Sequence, residues 1–118
     1  MSLESGDVIL IPYAPYTNYL VTKPRPCLVI SSSQFNKTRP DVILAPITSN
    51  IRERDSTQVV LRSDESHFSQ TGLRCSSAVK CGAIFTFSQR QVRRKLGVIH
   101  SDVLREVRQV LSRILIQD

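Results

Sequence analysis

Apolar residues fall in short runs along most of this chain and form a helical stripe only at its end. The runs Val8-Ile9-Leu10-Ile11, Cys27-Leu28-Val29-Ile30, Val42-Ile43-Leu44-Ala45 and Val59-Val60-Leu61 are rich in branched aliphatics and bounded by turn residues. Runs of that length predict strands, and runs with little polarity on either face predict central ones. The pattern places strands at 8–11, 27–31, 41–47 and 59–61. Shorter strands follow at 77–80 and 83–86, bent together at Gly82, and a last one at 92–99. Pro12 ends the first strand or holds it at an edge. Residues 31–37 read as a serine-capped helical turn, and Ser88 to Gln91 has the spacing of a capping box.

From Ser101 the period changes. Val103, Leu104, Val107, Val110, Leu111, Ile114 and Leu115 recur at three- and four-residue intervals, with Arg105, Arg108 and Arg113 on the other face. Ser101 is the expected N-cap, and Asp102 suits the positive end of the helix dipole. One amphipathic helix after many short strands predicts a mainly β fold: a small, strongly twisted antiparallel sheet or partly open barrel, closed by the C-terminal helix. At 118 residues, one domain spanning 1–118 is expected. No apolar run reaches membrane-spanning length and the N-terminus lacks a signal-peptide pattern, so a cytoplasmic protein is expected.

Three cysteines, Cys27, Cys75 and Cys81, make no disulfide framework and match no zinc spacing, so no metal or other cofactor is expected. Charge is more informative. The net charge is +6, and no acid occurs between Glu65 and Asp102, a stretch that holds Arg74, Lys80, Arg90, Arg93, Arg94 and Lys95. Such a cationic half-chain suits a polyanionic partner, either nucleic acid or an acidic protein.

Two positions stand out as chemistry. Arg25 lies between Pro24 and Pro26, whose fixed φ angles stiffen what reads as a loop just before the second strand. A guanidinium held there can grip a phosphate or carboxylate, or else cap a carbonyl or pair with a surface acid. Thr48 ends the third strand, followed by Ser49 and Asn50. If strands two and three are antiparallel neighbours, Arg25 and Thr48 share one end of the sheet and form a phosphate pocket. Attack of a ribose 2′-hydroxyl on its own phosphate needs stabilisation of phosphorane charge, loss of a proton from the nucleophile and gain of one by the leaving 5′-oxygen. Arg25 can do the first and help the third; Thr48 can hydrogen-bond a non-bridging oxygen. The long loop at 13–24 carries Tyr13, Tyr16 and Tyr19, which can stack on unpaired bases or anchor the loop to the core. Tyr16 and Asn18 in that loop, Lys23 at its end, Arg52 in the charge-alternating and mobile-looking stretch 50–57, and Lys80 are the further candidate RNA contacts.

Gly6-Asp7-Val8, Arg25-Pro26 before Leu28-Val29-Ile30, Ala45-Pro46-Ile47-Thr48-Ser49, Ser77-Ala78-Val79-Lys80-Cys81 and the terminal amphipathic helix together resemble the MazF/PemK/Kid toxins, in order along almost the whole chain. The resemblance implies an SH3-like barrel closed by a C-terminal helix, a homodimer, and a metal-independent endoribonuclease of type II toxin-antitoxin systems. Such enzymes cut single-stranded RNA at short sequences, leaving a 2′,3′-cyclic phosphate or 3′-phosphate and a 5′-hydroxyl. An acidic antitoxin is the partner implied. Arg25 matches the catalytic arginine, Thr48 the catalytic threonine or serine, and Ser49 a position that lines the RNA site. Two family carboxylates have no counterpart: the loop Thr17-Asn18-Tyr19-Leu20 has none, and Gly82 stands where Kid-like members carry an acid. The general base is therefore unassigned, with His67 a conceivable substitute and His100 read as structural. The fold also resembles that of CcdB-like gyrase poisons, so a non-catalytic toxin or a plain RNA-binding domain is the alternative.

Overall fold

The computed structural model describes residues 2–15 and 23–117. Seven strands are described: β1 (Asp7–Ile11), β2 (Arg25–Val29), β3 (Asp41–Thr48), β4 (Gln58–Leu61), β5 (Ser77–Lys80), β6 (Phe85–Ser88) and β7 (Arg94–Val98). Helix α1 (Ser33–Thr38) links β2 to β3, and α2 (Ser101–Leu115) follows β7. Strand order is β4-β5-β3-β2-β1-β7, with β6 also on β3. Every pairing is antiparallel.

The curl of this sheet comes from β3. On one side it pairs with β2 through Leu44–Pro46. On the other it pairs first with β6, from Asp41 to Leu44, and then with β5, at Ile47 and Thr48. Ala45 and Pro46 fall in the gap between those two ladders. A proline is tolerated there because no neighbour on that side asks for its missing N–H. The strand turns from one half of the sheet to the other, and the result is a half-barrel.

Side-chain alternation divides the core. Val8, Leu28, Ala45, Ile47, Val59, Leu61 and Val79 form one buried cluster. Their strand neighbours Ile9, Ile11, Cys27, Val29, Val42 and Leu44 form the other, on the opposite face, with Leu3, Phe87 and Val92. Both faces of the central strands are apolar, which is why β1 to β3 read as continuous runs. Helix α2 closes the first cluster with buried Val107 and Val110, and Val103, Leu104 and Leu111 pack beside them. A 15-residue helix is marginal alone, so this docking stabilises it; each fully buried valine contributes roughly 1.5–3 kcal/mol.

Local expectations were met unevenly. Ser32 caps α1, accepting from Phe35 N at 3.2 Å. The second strand starts at Arg25 rather than 27, because Ile11 and Leu10 of β1 pair with Arg25 and Pro26. Arg25 is thus a strand residue, not a loop residue. The cap of α2 is His100, whose Nδ1 accepts from Asp102 N at 3.1 Å; Ser101 is the first helical residue. Ser88 makes no side-chain cap. Instead the amide of Gln89 donates to the carbonyls of Asn36, Arg39 and Asp41, so residues 89–91 form a 3₁₀ turn and β7 begins only at Arg94. The expected bend at Gly82 is a 3₁₀ turn over Cys81–Ala83, which delays β6 to Phe85.

Two buried polar groups tie the ends of the fold. Asp7, 2% exposed, accepts from Glu4 N at 2.9 Å and pairs with Lys95 Nζ at 3.0 Å. Asn36 donates to the carbonyls of Leu3 and Ser31 at 3.0 and 3.2 Å and accepts from the Ser31 hydroxyl. The 3₁₀ turn Phe68–Thr71 lies directly on β7: a Cβ at Gly97 would stand 2.0 Å from the Gln70 carbonyl oxygen.

Candidate functional site

The β2–β3 register pairs Cys27 with Pro46 and Leu28 with Ala45. The ladder ends there; counted on by two residues, it leaves Arg25 and Thr48 at the same end of the two strands and on the same face. On the other side of β3, Thr48 pairs with Ala78, and two residues further along β5 Lys80 pairs with Gln58. Alternation therefore puts Arg25, Thr48, Lys80 and Gln58 on one face, while Leu28, Ile47, Val79 and Val59 point into the cluster under α2. Over β4 and β5 this first face carries no apolar cluster. A polar cleft of about 320 Å³ opens there, lined by Thr48, Asn50, Arg52, Asp55, Gln58 and Lys80.

The loop from Ser49 to Thr57 forms the cleft wall. It is exposed, as expected, but tied at both ends. Asn50 N donates to Thr48 Oγ1 at 3.1 Å, and Arg52 N donates to Gln58 Oε1 at 2.8 Å. Asp55 N bonds the Arg52 carbonyl and Gln58 N the Asp55 carbonyl, at 3.0 and 3.1 Å. Because Thr48 Oγ1 accepts from Asn50, its O–H remains available as a donor. Among the described residues the Arg25 guanidinium has no hydrogen-bond or ion-pair partner. Asp55 Oδ1 accepts from Thr57 Oγ1 at 2.6 Å and Thr57 N at 2.9 Å. Those bonds, with the charges of Arg52 and Lys80, hold its carboxyl below the usual 3.8. It is ionised at neutral pH.

A model of the family described as PemK-like, MazF-like toxin of type II toxin-antitoxin system matches residues 4–115. The chain belongs to this family. The MazF-like fold is equally clear from solved structures. A MazE-MazF structure (Form-III) from Deinococcus radiodurans superposes with TM-score 0.77 at 22% identity, over 100% of both chains. An endoribonuclease in complex with its cognate antitoxin, from mycobacterial species, gives 0.75 at 18% identity, over 96% of this chain and 94% of that one. Mycobacterium tuberculosis toxin MazF-mt6 gives 0.73 at 19%, over 95% and 98%. No curated protein sequence matches the chain.

In this MazF-like chain, Thr48, Arg52 and Lys80 come together in the cleft; Arg25, at the start of β2, is not among the residues that line it. Ser49 is exposed between Thr48 and Asn50 but does not line the cleft, and Lys23 is exposed two residues before β2. Tyr16 and Asn18 lie outside the described residues. His67 does not reach the cleft. It pairs with Glu65 at 2.9 Å and stacks on His100 at 4.6 Å, in a crevice beside Ile99 and Val103 on the α2 side of the sheet. That position puts it apart from Thr48, Arg52 and Lys80. No disulfide joins the cysteines among the described residues, and burial pushes the Cys81 thiol up to about 11, so it is inert at neutral pH. Among the described residues no three His, Cys, Asp or Glu side chains cluster to hold a metal, and no helix is long and apolar enough to cross a membrane.

Sequence reasoning named neither Asp55 nor Gln58 as a site residue, and noted Asn50 only as following Thr48. The Asp-x-Thr spacing of 55–57 is an Asx-turn signal that would have placed the carboxylate. Gln58 needed the β4–β5 register, which no local pattern encodes.

Proposed function

We propose that this MazF-like chain is a toxin that cleaves single-stranded RNA without a metal ion, by attack of a ribose 2′-hydroxyl on the adjacent phosphate. The observation that supports the reading is a cleft lined by Thr48, Arg52 and Lys80, with Arg25 at the start of the strand neighbouring β3, at the same end of the sheet as Thr48. The 2′-oxygen bonds to phosphorus, the bond from phosphorus to O5′ breaks, the 2′ proton passes to water and O5′ takes one from water. Arg25 presents its planar fork to the non-bridging oxygens and stabilises the extra charge of the phosphorane. Thr48 donates its O–H to one of those oxygens. Arg52, Lys80 and Lys23 neutralise flanking phosphates, while Ser49, Tyr16 and Asn18 contact neighbouring nucleotides, Tyr16 by stacking. The products are a 2′,3′-cyclic phosphate and a 5′-hydroxyl. The protein works in the cytoplasm as a homodimer and is restrained by an acidic antitoxin. The +6 charge of the chain and the antitoxin bound in a structural neighbour support that partner.

The test is incubation of the purified protein with mixed-sequence single-stranded RNA in EDTA, followed by end-group analysis. Discrete cuts ending in cyclic phosphate are expected. Intact RNA of every sequence overturns the reading, and growth arrest with broken DNA but intact RNA points to the gyrase-poison alternative.

A further inference from the structure

One group in the cleft does not fit a phosphate grip. Asp55 is an anion among cations, and a carboxylate facing an RNA backbone repels it. Its Oδ1 is occupied by both Thr57 hydrogen bonds. Oδ2 accepts nothing from any described residue, and Asp55 lines the same cleft as Lys80 and Arg52. The loop holds it there through the Asp55 N to Arg52 O and Gln58 N to Asp55 O bonds. An acceptor held by its loop beside two cationic donors is a pattern that a base edge can match and a phosphate cannot.

We propose that Asp55 reads a guanine held in this cleft, accepting its N1–H and N2–H on Oδ2 while Lys80 or Arg52 donates to O6. This rests on the ribonuclease reading and adds a base preference to the same site. Guanine fits best because two adjacent donors lie next to an acceptor on its Watson–Crick edge. Cytosine and adenine offer one amino group beside an acceptor nitrogen. The single N–H of uracil lies between two carbonyl oxygens that a carboxylate repels. The approach needs an unpaired base, which is what a single strand supplies.

The test uses 2′-fluoro oligonucleotides, which cannot be cut: six uridines around one central guanine, inosine, adenine, cytosine or uracil. Binding is read by fluorescence anisotropy at fixed salt. For the wild-type chain the guanine oligonucleotide is expected to bind about tenfold tighter than the all-uridine one, and inosine, lacking the N2 amino group, to lose several-fold of that. In Asp55→Asn, and in Asp55→Ser as a second variant, the guanine-to-uracil ratio is expected to fall to within about twofold, with the salt dependence of binding retained. Equal wild-type binding of all five, or an unchanged ratio in both variants, overturns the proposal. Sequencing of cut ends separates the two readings. Guanine preference without cleavage defeats the ribonuclease reading alone, and cleavage whose base preference survives both Asp55 variants defeats this one alone.

Discussion

Replacing Arg25 by alanine tests the centre of the site. The phosphorane carries about one more negative charge than the diester. At about 4 Å a unit charge contributes ~1 kcal/mol in bulk water and ~4 kcal/mol at an effective dielectric of about 20. Arg25 is half-buried at the first position of β2, so the contribution falls between those limits, at about 2–3 kcal/mol. That corresponds to a rate loss of roughly 30- to 150-fold. Single-turnover cleavage of a mixed-sequence RNA in EDTA measures it. Arg25→Lys keeps the charge but not the fork and is expected to lie between wild type and Arg25→Ala. Loss of one phosphate contact is also expected to reduce the slope of log affinity against log salt by about 0.7. Stability is expected to change by no more than about 0.5 kcal/mol, because the guanidinium has no partner among the described residues. Cleavage by Arg25→Ala within about threefold of wild type, with the fold intact, refutes the assignment.

Three further outcomes follow from other parts of the molecule. Asn36→Ala strands the carbonyls of Leu3 and Ser31 and the Ser31 hydroxyl, and is expected to cost about 2–4 kcal/mol by denaturant unfolding; an unchanged midpoint contradicts the buried network. Gly97→Ala drives a Cβ to 2.0 Å from the Gln70 carbonyl oxygen and 2.6 Å from the Thr71 carbonyl carbon, so β7 and the turn on it must part. A loss of at least about 3 kcal/mol is expected, with faster hydrogen exchange along β7, and native exchange rates in the variant rule the clash out. Thr57→Val removes the Oγ1 donor, so the Asp55 carboxyl is expected to titrate closer to 3.8 than in the wild type, read by NMR. The lowered value favours the folded state above pH 3.8, and that contribution fades as pH falls through the folded value; an identical titration in the two proteins contradicts the cause assigned.

The site was half legible because its parts differ in range. Arg25 and Thr48 each sit at the end of a recognisable apolar run, so assuming two adjacent antiparallel strands was enough to put them at the same end of the sheet. Lys80 and Arg52 were candidate contacts far apart in the chain, and what set them in one cleft is the pairing of β5 with both β3 and β4. His67 misled for the same reason: it follows β4 closely in the chain, yet its contacts with Glu65 and His100 hold it on the α2 side.

Local patterns determined the element types. Apolar runs of strand length, a helical stripe after Ser101 and turn residues between them left a mainly β chain with one closing helix as the consistent solution. Boundaries escaped where a neighbour supplied or withheld hydrogen bonds. Ile11 extends β2 back to Arg25, Gln89 turns toward the α1–β3 link instead of capping, and His100 takes the cap position from Ser101. Which face would be wet was a tertiary decision. Alternation says only that neighbouring residues point opposite ways; α2 covers one side, and so the cleft with its cations and single carboxylate opens on the other.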